Sequence, residues 1–102
     1  MIALVEQLRA ELAVICRRFG VSRLELFGSA ADGTFDPARS DIDFLVEFGD
    51  VPDERRFDAY FGLLQALESL FERHVDLVET GAPRNPFFIR RLNESRQVVY
   101  AA

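Results

Sequence analysis

Leu24-Glu25-Leu26-Phe27-Gly28-Ser29, a polar loop, and then Ser40-Asp41-Ile42-Asp43-Phe44-Leu45-Val46-Glu47-Phe48 form the stretch that decides how this chain is read. Along an extended strand successive side chains point to opposite faces. Ile42, Phe44, Val46 and Phe48 therefore share one face, and Asp41, Asp43, Leu45 and Glu47 share the other. Two carboxylates open the same face, their Cα atoms roughly 6.6 Å apart. At about 4 Å, two such charges repel by about 4 kcal/mol at an effective dielectric near 20. A divalent cation removes that conflict. Oxygen-only ligands suit Mg²⁺ or Mn²⁺, and Mg²⁺ is commonly held by one or two carboxylates together with the phosphates of a substrate. The stretch thus points to nucleotide chemistry.

Upstream, Val5, Leu8, Leu12, Ile15 and Phe19 recur at three- and four-residue intervals with charged residues between them, which predicts an amphipathic helix from Ile2 to Phe19, stopped by Gly20. A strand at Arg23–Phe27 follows. Gly28, Asp32, Gly33, Asp36 and Pro37 make the segment to Ser40 a loop with room for one helical turn, and the expected phosphate cradle.

Downstream, Asp53 is expected to cap a helix running through Phe71, with Phe57, Tyr60, Phe61, Leu64, Leu67 and Phe71 as its buried stripe. His74–Glu79 reads as a third short strand, in which Asp76 is the odd residue and the expected source of a third metal-facing carboxylate. His74 reads as a structural or surface residue. Pro86 opens a last helix to about Glu94, and Gln97–Tyr100 reads as an edge strand. Phe87-Phe88 fits either packing or a partner surface. Strands separated by helical segments predict an α/β fold, a mixed sheet of three to four strands packed against about three helices.

With 102 residues of which 49% are hydrophobic, the chain is expected to form one domain with a small core. Its net charge of −5 argues against binding RNA or DNA through a broad basic surface. The lone Cys16 allows no internal disulfide and reads as a buried thiol. No apolar run approaches a membrane span, and the beginning lacks a signal-peptide pattern, so a cytoplasmic protein is expected. Gly28-x-x-x-x-Gly33 is followed by Thr34-Phe35 where a P-loop needs Lys-Ser/Thr, and the Asp41-x-Asp43 run lacks the third oxygen ligand of an EF-hand.

Gly28-Ser29, the spacer, Ser40-Asp41-Ile42-Asp43 and the later Val75-Asp76-Leu77-Val78 together resemble the DNA polymerase β-type nucleotidyltransferase superfamily. The size resembles its minimal members, antitoxins of two-gene modules whose toxin is a HEPN-domain ribonuclease. The resemblance implies the small nucleotidyltransferase fold. It implies that Asp41, Asp43 and Asp76 bind the catalytic Mg²⁺, and that Gly28, Ser29 and Ser40 hold the nucleotide, with ATP as substrate. It further implies transfer of AMP to a tyrosine hydroxyl of the HEPN partner, and with it a hetero-oligomer. Two departures stand out. Where the family often has Ala-Arg-Gly, this chain has Ala31-Asp32-Gly33, leaving Arg39 as the candidate replacement charge, and the spacer is one residue longer than usual. Two other functions fit the same residues, a non-catalytic antitoxin that neutralises its partner by covering it and a nucleotidyltransferase acting on a small molecule.

Overall fold

The computed structural model describes residues 1–102. Its elements follow in the order α1 (Ala3–Gln7), α2 (Arg9–Arg18), β1 (Val21–Phe27), α3 (Ser29–Asp32), β2 (Ile42–Phe48), α4 (Asp53–Phe71), β3 (Val75–Glu79), α5 (Pro86–Ser95) and β4 (Gln97–Ala101). The strands lie side by side as β3-β2-β1-β4. β1 runs antiparallel to both β2 and β4, whereas β2 and β3 are parallel. A parallel pair needs a long crossover, and α4 supplies it.

The alternation along β2 sets the layers. Ile42, Phe44 and Val46 are fully buried on the face covered by α1, α2 and α4, where they join Leu12, Leu24, Leu26, Leu63 and Leu67 in one core of 17 residues. Phe71 packs its ring 5.8 Å from that of Phe44, fastening the end of α4 to the middle of the sheet. The opposite face carries only α5, held by a small cluster of Phe27, Leu45 and Leu92. This uneven cover leaves the Asp43 side of the sheet open. No helix is long and apolar enough to cross a membrane. Cys16 is buried, and that burial pushes its thiol up to about 12.

Three features differ from the sequence reading. The first helix bends at Leu8 into α1 and α2, although Leu8 N–H to Leu4 O and Leu12 N–H to Leu8 O continue the ladder through the bend, at 3.2 and 2.9 Å. With this bend and the single turn α3, the expected three helices become five. At α4, Pro52 occupies the capping position and Asp53 is the first helical residue, with no side-chain cap bond.

Most consequentially, Phe57 and Phe61 are 71% and 50% exposed and do not belong to the core, while Tyr60 is half-buried and donates its hydroxyl to Leu77 O. Helical geometry explains the error. At about 100° per residue, Leu63, Leu67 and Phe71 fall within an arc of roughly 80°, and Phe61 lies about 120° from its centre. Phe57→Ser is accordingly expected to change stability by less than about 0.5 kcal/mol. Leu67→Ala should cost about 2–5 kcal/mol, because it opens a cavity in a fully buried site. Urea unfolding of the two variants checks both values.

Candidate active site

β2 and β3 pair in parallel register with Asp43 opposite Asp76, so the two carboxylates rise side by side from neighbouring strands about 4.8 Å apart. Asp43 is half-buried, and burial first, then the charges of Asp76 and Asp41, push its carboxyl up from 3.8 to about 6, with His74 opposing the rise. Two anions are being held together at a cost.

β1 ends at Phe27, and Gly28 follows it directly beside Asp43. Gly28 has φ +69°, a left-handed backbone that glycine adopts most readily, and a Cβ built there would collide with Asp43 Oδ2. Its N–H donates to Ser95 Oγ at 3.0 Å, and that hydroxyl in turn donates to Arg91 O at 3.2 Å. The last turn of α5 therefore fixes the glycine bend against the acidic pair. Ser29 opens α3, half-buried, and its hydroxyl makes no hydrogen bond. Asp32 accepts from the N–H and hydroxyl of Thr34, at 3.0 and 2.6 Å, and these bonds hold its carboxyl below the usual range.

Gly28, Asp32, Asp43, Asp76, Arg91 and Ser95 line one cavity of about 290 Å³. A larger hollow of about 490 Å³ lies between α4 and β3, lined mainly by Phe57, Tyr60, Phe61 and Leu77. It contains none of the predicted site residues, whereas the smaller cavity holds Gly28, Asp43 and Asp76.

Not every predicted residue reaches that cavity, and Ser29, although it follows Gly28 in the chain, is not among the residues that line it. Asp41 stands just before β2, half exposed, with Oδ2 3.1 Å from His74 Nδ1. Ser40 lies outside: its hydroxyl accepts from Asp36 N–H at 3.0 Å, and Arg73 donates to its carbonyl at 3.3 Å. It closes the loop that carries Asp41. Arg39 also lies outside, and the cation in the cavity is Arg91. Composition and periodicity gave no reason to single out Arg91, Ser95 or His74. The position of His74 does follow from register, because pairing Asp43 with Asp76 places residue 74 opposite residue 41.

As the side chains stand, no three of them enclose an ion. The donor set nevertheless fits a hard divalent cation: the ligands are carboxylates, Asp43 and Asp76 already lie together, and the raised affinity of Asp43 for a proton is relieved by any cation between them. Asp41 would be the third carboxylate, and its Oδ2 is engaged by His74.

The model of the family described as "Nucleotidyltransferase domain" matches residues 8–99 of the chain. The chain belongs to this family. A relative from Methanocaldococcus jannaschii, MJ0128, whose name assigns it provisionally to the protein adenylyltransferases, is 36% identical over 87 residues, 85% of each chain. Among solved structures, one described provisionally as a minimal nucleotidyltransferase is 29% identical, with a TM-score of 0.68 over 91% of this chain and 93% of its own. A toxin–antitoxin structure with AMP-PNP is 24% identical, with a TM-score of 0.68 over 92% of this chain and 73% of its own. The Shewanella oneidensis MNT antitoxin in complex with its tri-AMPylated HEPN toxin is 20% identical, with a TM-score of 0.63 over 96% of this chain and 73% of its own. These last two likenesses concern the nucleotidyltransferase fold, a mixed sheet with helices as described above.

Proposed function

We propose that this nucleotidyltransferase moves the adenylyl group of ATP onto a tyrosine hydroxyl of a HEPN-domain ribonuclease and so acts as the antitoxin of a two-protein module. The observation that carries the reading is the pairing of Asp43 with Asp76 at the foot of a cavity whose other wall is the Gly28 bend. The adenylyltransferase name of the archaeal relative and the AMPylated HEPN toxin bound to the Shewanella oneidensis antitoxin support the choice of group and acceptor.

Asp41, Asp43 and Asp76 would hold Mg²⁺, which when bound offsets the negative charge of the phosphates. Gly28 lets the nucleotide's phosphates approach the backbone closely, and the unpartnered hydroxyl of Ser29 is free to donate to them. Ser40 contributes by closing the loop before Asp41. The tyrosine oxygen attacks the α-phosphorus and the bond to the bridging α–β oxygen breaks. Pyrophosphate leaves with that electron pair, and the hydroxyl proton passes to Asp76, the more exposed of the paired carboxylates.

The test is to incubate the chain with its HEPN partner, ATP and MgCl₂, and read adenylyl groups on the partner by peptide mass spectrometry. Modification of tyrosine that EDTA abolishes is expected, and an unmodified partner under saturating ATP would overturn the reading. A second reading rests on Asp32, an acid lining the cavity: the chain neutralises its partner by covering it. Neutralisation that survives both Asp41→Asn and Asp43→Asn would favour that alternative.

A further inference from the structure

We propose that Arg91, on the exposed turn of α5, is the residue that grips the polyphosphate end of the nucleotide, a role that rests on the adenylyl-transfer reading. Ten residues line the cavity, and among them Asp32, Asp43, Asp76 and Glu94 are acidic while Arg91 is the one cation. A cavity with that balance repels a triphosphate. A divalent cation held by Asp43 and Asp76 would offset only the phosphate next to it, which leaves the charge of the β- and γ-phosphates to be met from elsewhere in the cavity.

Arg91 is the group available there. The chain contains no lysine, its 12 cations all being arginine, so a phosphate is met by a guanidinium or by none. Along the same segment Arg96 is committed to Glu25, with Nε 3.0 Å from Oε2, and Arg84 to the carbonyl of Gly81. The guanidinium of Arg91 makes no hydrogen bond and no ion pair, even with Glu94 three residues on. Its backbone carbonyl, by contrast, is fixed, because it accepts from the Ser95 hydroxyl that also receives the Gly28 N–H. A free planar fork thus stands on a backbone tied through the Ser95 hydroxyl to the glycine bend. That is the arrangement by which arginine binds phosphate oxygens in pairs. In the transfer step the same grip falls on pyrophosphate as it leaves.

Isothermal titration of MgATP and of MgAMP into the wild type, Arg91→Ala, Arg91→Lys and Arg90→Ala tests this. A charge-assisted hydrogen-bonded pair is lost in Arg91→Ala, so its affinity for ATP is expected to fall roughly tenfold to a hundredfold while that for AMP stays unchanged. Arg91→Lys should recover part of the loss, and Arg90→Ala, outside the cavity, should leave both affinities unchanged. Equal losses for ATP and AMP in Arg91→Ala would mark a merely structural role and overturn the inference. So would a preference for ATP that survives Arg91→Ala, and that outcome would leave the adenylyl-transfer reading standing. A wild type that binds neither nucleotide would overturn both.

Discussion

Asp43→Asn is expected to lower adenylyl transfer by at least about a thousandfold and, at the same time, to make the ligand-free protein more stable at neutral pH. The loss follows from removing a carboxylate from a site whose catalysis is positioning and charge compensation. The gain follows from the raised proton affinity of Asp43, from 3.8 to about 6, caused by burial and then by Asp76 and Asp41. An acid that titrates higher in the folded than in the unfolded state binds protons preferentially when folded. Stability therefore falls as pH rises from about 4 to about 6, and the charged form is disfavoured above that window. Full conversion of the shift gives about 3 kcal/mol, and because Asp43 is only half-buried, screening reduces the realistic figure to about 1 kcal/mol. Chemical denaturation at pH 7.5 and at pH 3.5 should show the variant ahead of the wild type at the first and level with it at the second. Loss of activity with loss of stability at neutral pH would mean that Asp43 supports the fold and is not strained by it.

The second large effect belongs to Gly28. Gly28→Ala combines a left-handed backbone at φ +69° with a collision against Asp43 Oδ2. It is expected to cost about 2–3 kcal/mol in stability and about a hundredfold in transfer, because the carboxylate must move off its position opposite Asp76. Gly33 provides the comparison: its φ is +88° but nothing lies within 4 Å of a Cβ there. Gly33→Ala should therefore show a backbone penalty of about 1 kcal/mol and near-normal transfer. Thermal denaturation and transfer rates of the pair separate strain from collision. Similar transfer rates for both would contradict the role given to the Gly28 bend.

Much of this was legible in the residues themselves. Alternation along Ile42–Phe48 places Asp43 and Leu45 on one face, and the structure finds them there, with Asp43 opposite Asp76. The end of α4 at Phe71 and the Pro86 helix start come out at the expected positions, and the start of α4 falls one residue early, because turn residues bound both. What failed did so for tertiary reasons. Phe57 and Phe61 satisfy helical spacing, but spacing does not say where the buried arc is centred, and the sheet faces the Leu63–Leu67 side. Residues 91 and 95 stand one helical turn apart, yet only the seating of Leu92 on Phe27 and Leu45 turns them toward Gly28. The side chain of Asp41 follows a local choice, pairing with His74, that alternation cannot foresee.

The adenylyl-transfer proposal requires Asp43 and Asp76 to hold a divalent cation against the nucleotide's phosphates beneath the Gly28 bend. Anomalous diffraction from crystals grown with Mn²⁺ and AMP-PNP tests it most directly. A manganese peak bridging the two carboxylates, with the phosphates in the cavity beside Gly28 and Ser29, is the predicted result. Manganese elsewhere, or the analogue seated in the hollow beside Phe57 and Phe61, would contradict it.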